Sequence, residues 1–404
     1  MGQAATGAIP DTGAVEASAR AERRTAPIEL LWDLVFVFAV TQVTTLLSHE
    51  LTWAGFGRSM LVLALVWWAW SAFVWAANVA ADDSLALRAI LLVGMLLIFV
   101  TGLALPHAFG DDSTLFAACY AAVRLLHLVL YAQASRQGNA SWAAISGFAV
   151  TVVIGMALLV VGSFQEGTLR VVLWALAAAI DYAGPAWLTR ERLRGLQSVA
   201  VAHFAERYGL FVIICLGESI VAIGLAASEL HLDAGVVGAI APGLLVTIGL
   251  WWLYFDRSAA AAEARLRDHD DPVLAAADAY SYLHLPLVAG IIVFAVGAKG
   301  LIHDSGAHLH DPERLALCGG VALYLVAHAA FQLRIAGERA WAKLAVAVLL
   351  LAVFAVSGHV AAWVAAAAVA VLVGGLCALE ATRLGQAAGA GGTNRGGGAA
   401  AART

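Results

Sequence analysis

The chain has 404 residues, of which 62% are hydrophobic and 13% charged, with a formal net charge of -5. An average soluble domain carries roughly a quarter charged residues, so a soluble enzyme with a single anchor is excluded, and so small a negative charge gives no footprint for a nucleic-acid partner. The composition predicts an all-α, polytopic integral membrane protein whose solvent and first partner is the lipid bilayer.

Residues 1–25 contain Ala, Gly, Thr and charge without an apolar run, so they lack the core of a secretory leader and read as a disordered cytoplasmic tail. Apolar stretches of about 20 residues, the length that crosses a bilayer, then recur near 28–48, 57–80, 87–107, 114–134, 143–163, 169–189, 205–227, 235–256, 280–299, 314–334, 341–357 and 359–380. This gives a first six-helix half over 26–195 and a second over 196–384. The Gly/Ala-rich end, 385–404, offers little to pack and reads as a second disordered cytoplasmic tail.

Arginine and lysine concentrate in alternate connections. Arg190, Arg192 and Arg194, then Arg257, Arg265 and Arg267, then Arg334, Arg339 and Lys343 fall on the side of the N-terminus, whereas the opposite side holds Arg58, Arg170, Lys299 and Arg314. Short cytoplasmic loops are enriched in these residues, which predicts an even number of spans with both termini in the cytoplasm of a bacterial plasma membrane.

A weak internal repeat accompanies the two halves. A shift of 176 lays Leu34 on Leu210 and Gln42 on Glu218, one of 184 lays Trp67 and Trp68 on Trp251 and Trp252, and one of 201 lays His127 on His328. The shift grows along the chain, as loop insertions make it. Halves of six spans share one orientation, the parallel repeat of some transporters.

Ionisable residues at membrane depth each cost at least about 2.5 kcal/mol on insertion scales and are the best functional clues. In the first span Glu29 and Asp33 lie four apart on one helix face, and the stripe continues to Thr41 and Thr44. Their plainer reading is contact with water or with Arg23 and Arg24 near the surface. In the seventh span His203, Glu206 and Arg207 precede Glu218, which lies about 16 Å further along the axis, out of reach of Arg207. The fourth span aligns Arg124, His127 and Tyr131. Because arginine keeps its proton, Arg124 must face a carboxylate or water, and Asp33 and Glu218 are the nominated partners. The tenth span aligns Tyr324, His328 and Gln332. The pathway candidates are therefore Glu29, Asp33, Thr41, Arg124, His127, His203, Glu206, Arg207, Glu218 and His328, each weighed against a neutral packing role.

The remaining signals are bland. His303, Asp304, His308, His310 and Asp311 form an outer loop that reads as solvated polar residues rather than a divalent-metal site. Cys119, Cys215, Cys318 and Cys377 lie singly in apolar stretches and read as small core residues. The tryptophans read as packing seams or interfacial belts, and Asp181 with Pro185 as a kink. No phosphate cradle or nucleophile elbow occurs, and no cofactor or metal is implied.

At IELLWDLVFVFAVTQ (28–42), HFAERYGLFVIICLGESIVAIG (203–224), WWLYFD (251–256) and YLHLPLVAGIIVFAVG (282–297) the chain resembles the bacterial low-temperature-requirement A (LtrA) family. The family motif is usually written FFD where this chain has Leu31, Trp32 and Asp33, a departure that keeps the carboxylate. The resemblance implies a polytopic membrane protein linked by name to growth in the cold, without a settled activity. Trp32, Asp33, Val35, Phe36 and Thr41 give a fainter likeness to the first helix of the lysosomal potassium channel family. Together these features favour a transporter or channel for a small ion or solute, for which a homo-oligomer is also compatible. The alternatives are a membrane-embedded enzyme acting on a lipid or quinone, and a structural or regulatory membrane protein.

Overall fold

The computed structural model describes residues 25–79, 85–137, 141–185, 201–231, 234–303 and 308–396. Every long element among them is a helix: α1 (Pro27–His49), α2 (Trp53–Val79), α3 (Leu85–Ala104), α4 (Ser113–Arg136), α5 (Trp142–Ser163), α6 (Gly167–Ala183), α7 (Val201–Ser228), α8 (Ala234–Leu253), α9 (His284–His303), α10 (Asp311–Ala336), α11 (Trp341–Val356) and α12 (Ala362–Gly396). Helices satisfy every interior backbone group within the segment, which the hydrocarbon demands. Eleven helices among the described residues are long and apolar enough to cross a membrane. The remaining expected span, 169–189, is described as the 17-residue α6, and residues 186–200 lie outside the described residues.

Two expectations about connections need correction. The stretch between the eighth and ninth spans is not a loop: α8 runs through a π-helical turn, Tyr254–Ser258, into a helix ending at Arg267, and a second π turn, Ala277–Tyr282, leads into α9. Helix α12 also continues to Gly396, into the stretch expected from 385 to be an unstructured tail. The tail 1–24 and residues 397–404 lie outside the described residues.

The chain forms two compact units, and neither is one sequence half. The first comprises Met1–Val43, Gly57–Val212 and Glu263–Ser281, and the second Thr44–Phe56, Ile213–Ala262 and Tyr282–Thr404. In the first, α3 packs on α4, α4 on α5 and α5 on α6. Helix α2 is tied in by two tyrosines, Tyr120 donating to Leu65 O at 2.8 Å and Tyr182 to Ala64 O at 2.7 Å. Gly162 lets α5 approach α6, since a Cβ there would sit 2.7 Å from Trp174, whose indole donates to Leu159 O at 3.0 Å.

In the second unit α9 packs on α10, α10 on α11, α11 on α12, and α8 on both α9 and α12. Small residues let backbones touch where no hydrophobic force separates protein from lipid. At Gly290 a Cβ would lie 2.6 Å from Tyr324 N, and Gly297 and Gly320 face the backbones at Leu317 and Phe294 equally closely. Tyr324 donates to Leu250 O at 2.8 Å.

Trp32, Trp67, Trp70 and Trp174 are fully buried packing residues, whereas Trp251 and Trp252 are about two-fifths exposed. Large apolar side chains such as Leu96, Leu225 and Val371 stay exposed along the spans, the face that a bilayer covers. Two arginines expected in outer loops are buried instead. Arg170 donates to the carbonyls of Gln165, Phe109 and Gly110, and Arg314 to those of Leu309 and Phe354 and to Asp311.

Candidate functional site

The polar stripe of α1 meets the His203–Arg207 turn of α7 in the first unit. Spacing of four residues puts Glu29 and Asp33 on one face of α1 and His203 and Arg207 on one face of α7, and the two faces interlock. His203 Nε2 lies 2.9 Å from Glu29 Oε2, while Arg207 Nη2 donates to Asp33 Oδ1 at 2.5 Å and Nη1 stands 3.9 Å from Glu29 Oε1. All four side chains are at most 3% exposed. Glu29 also accepts from Ala26 N at 3.0 Å, tying the start of α1 to the cluster.

A third helix completes the site. Trp70 of α2 donates from Nε1 to Asp33 Oδ1 at 2.7 Å, so both strong donors converge on one oxygen. Asp33 Oδ2 and Arg207 Nε have no partner among the described residues. Beside Arg207, Tyr208 joins a buried hydroxyl cluster: its Oη lies 2.6 Å from Ser71 Oγ and 3.0 Å from Ser281 Oγ, and Ser71 donates to Ser281 at 3.0 Å. Trp75 Nε1 donates to Ser281 Oγ at 2.8 Å, and Trp67 Nε1 to Ser281 O at 2.7 Å. With two donors on Ser281 Oγ, its own proton goes to Tyr208 and that of Tyr208 to Ser71, which closes a cycle of three hydroxyls.

Arg124 corrects the expected network. Its Nη2 donates to Asp181 Oδ1 of α6 at 2.7 Å, both side chains being 2% exposed, and Asp33 is held by Arg207 instead. The residue read as a kink marker is thus a counter-ion. His127, one turn from Arg124, packs among the rings of Phe73, Tyr131 and Phe148 at centroid distances of 5.0–6.0 Å.

Other candidates divide between the units. Thr41 donates back to Val37 O at 3.1 Å within its own helix. Glu206 is exposed and accepts from Thr25 Oγ1 at 3.0 Å. Glu218 is buried in the second unit. There too, His328 Nε2 lies 2.8 Å from Ser258 Oγ, which also accepts from Gln332 Nε2 at 2.9 Å. Lys343 Nζ donates to Gln332 Oε1 at 3.1 Å and to Glu380 at 2.6 Å. Sequence reading counted Lys343 as a loop charge, yet it is 1% exposed; its place at the third residue of an apolar helix was the available signal. Tyr254 and His284, also missed, lie 2.7 Å apart.

Among the described residues no group of His, Cys, Asp and Glu side chains could hold a metal ion, although part of the His-rich loop, 304–307, lies outside them. What the first unit can do is hold charge in a membrane: two carboxylates, an imidazole and a guanidinium in one place, and a second ion pair, Arg124–Asp181.

The two stretches that supply this cluster, 28–42 and 203–224, are those that carry the family likeness. A family model for the bacterial low temperature requirement A protein (LtrA) matches residues 24–378. An uncharacterized protein of Rhizobium meliloti (strain 1021) is 32% identical over 304 residues, covering 74% of each chain. The chain therefore belongs to the LtrA family of multi-pass helical membrane proteins.

Proposed function

We propose that this protein moves a small ion or solute across the bacterial plasma membrane, along a hydrated path in which Glu29, Asp33, His203 and Arg207 form the selective station. One observation carries the reading: fully buried polar atoms of the first unit, Asp33 Oδ2, Arg207 Nε, and Arg124 Nε and Nη1, lack partners among the described residues. Each such atom costs roughly 1–3 kcal/mol when dry. Buried waters relieve the cost by bridging polar groups, and a string of them between helix faces is what a permeating species needs. Ionisable groups in spans are a functional signal by default, and the cluster offers donors and acceptors of both signs.

The reading includes cytoplasmic termini, from the arginine distribution, and a parallel repeat of two six-span halves. Supporting the repeat, the packing of α3 on α4, α4 on α5 and α5 on α6 has counterparts in α9 on α10, α10 on α11 and α11 on α12. The bond from Tyr120 to Leu65 O likewise matches that from Tyr324 to Leu250 O.

The test is flux in proteoliposomes, with a panel of cations, anions and amines against empty vesicles. Transport of one class that Asp33→Asn abolishes while the variant stays folded is expected. Absence of flux for every class, with protein shown to be folded and inserted, would overturn the proposal.

A further inference from the structure

The second unit holds a crevice lined by none of the residues of the ion cluster. It has a volume of about 440 Å³, within the range of ligand pockets. It follows one stripe of α10, Leu315, Gly319 and Leu323, with Leu47 in the last turn of α1, Phe56 in the first turn of α2, and Val293 of α9. Gly319 keeps it open, since a Cβ there would touch only the side chain of its own helix neighbour Leu315.

Its length and polarity identify the occupant. From Pro312 to Leu323, both of which line the crevice, the helix rises roughly 16 Å, about half of the roughly 30 Å hydrocarbon layer. The crevice is therefore one leaflet deep and apolar for that depth. Its polar groups, Thr52 and Asp311, sit at the helix start beside Trp53, which is 78% exposed and suits a membrane interface. A species with a long apolar chain and a polar head at the interface matches this profile; a water-soluble solute does not.

The rim also selects the head. Arg314 is buried and directs donors to Phe354 O, Leu309 O and Asp311 Oδ1. Asp311, whose side chain is 82% exposed, gives one oxygen to Arg314 at 2.9 Å and keeps the other for a donor. Glu50 of the neighbouring turn accepts from the lining Thr52 at 3.5 Å. An acidic rim repels an anionic head and favours a primary ammonium, whose N–H groups bond a carboxylate strongly.

We infer that this crevice is a binding site for an amine-headed phospholipid of the phosphatidylethanolamine class, with one acyl chain along Leu315, Gly319 and Leu323 and the ammonium on Asp311. The site is independent of the transport reading.

The experiment is native mass spectrometry of the full chain, delipidated and then given palmitoyl-oleoyl phosphatidylethanolamine, phosphatidylcholine or phosphatidylglycerol in equal amounts. The expected result is one ethanolamine lipid retained per chain under activation that strips the other two. Gly319→Leu should abolish retention. Asp311→Asn, which keeps an acceptor for Arg314, should cut the preference for ethanolamine over choline by about tenfold while chain-dependent retention persists. Because Asp311→Asn changes an exposed group, it remains informative should Gly319→Leu fold poorly. Equal retention of all three lipids, preferential retention of the glycerol lipid, an unchanged preference in Asp311→Asn, or a lipid-free dimer would each overturn the inference.

Discussion

Arg207 and Asp33 lie 174 residues apart in sequence and share a hydrogen bond buried from solvent on both sides. Removing one member of such a pair strands the other's charge and typically costs about 3–5 kcal/mol. Arg207→Leu should therefore sharply lower the yield of folded protein, and adding Asp33→Asn should recover much of it. Size-exclusion profiles in detergent read this directly. Recovery of fold without flux would separate the work of the ions from their role in packing.

Arg124 and Asp181 allow a test of partner identity. Arg124→Leu should be rescued by Asp181→Asn and not by Asp33→Asn, because Asp33 answers to Arg207. Melting temperatures of the two double variants decide it, and rescue by Asp33→Asn would refute the assigned pairing.

Trp70→Phe removes the indole donor from Asp33 while keeping an aromatic ring in the core. A hydrogen bond to a charged group contributes about 1.5–3 kcal/mol, so a loss of that order in unfolding measurements is expected, larger than for Trp251→Phe on the half-exposed face.

At Gly320 a Cβ would collide with the backbone at Phe294, whereas at Gly374 it would meet nothing within 4 Å. Overpacking typically costs about 1–3 kcal/mol. Gly320→Ala should lower thermal stability accordingly and Gly374→Ala should not; equal melting temperatures would show that α9 and α10 can part without penalty.

Reporter fusions at residues 195 and 232 should report the cytoplasmic and outer sides respectively, as the arginine distribution requires. The same side for both would mean an even number of spans between residues 195 and 232, and so a wrong span count.

Much of this architecture was legible in the sequence because membrane helices are specified by composition and length. The faces were legible too: Glu29 with Asp33, and His203 with Arg207, follow from a four-residue spacing. What spacing does not reveal is which helix a face looks at. The sequence nominated Arg124 for Asp33, and only packing gave Arg207 to Asp33 and Arg124 to Asp181. Ser258 and Ser281 left no signal at all, since a serine in an apolar helix is commonplace and its importance comes from the side chains that converge on it.

Those two serines share a setting that changes how the protein responds to insertions. Each lies in a π turn, where the backbone carries a residue beyond the ordinary helical repeat. Because each residue of a helix turns the chain by about 100°, everything after such a turn faces a direction that a simple wheel drawn through it gets wrong. Deleting Asp256 would let the helix relax to its regular winding and change how Ser258 meets His328 and Gln332, without removing a hydrophobic residue of the span. The chain thus contains positions where register, rather than side-chain chemistry, holds the polar interior together, and where the loss of one residue would be felt more than most substitutions.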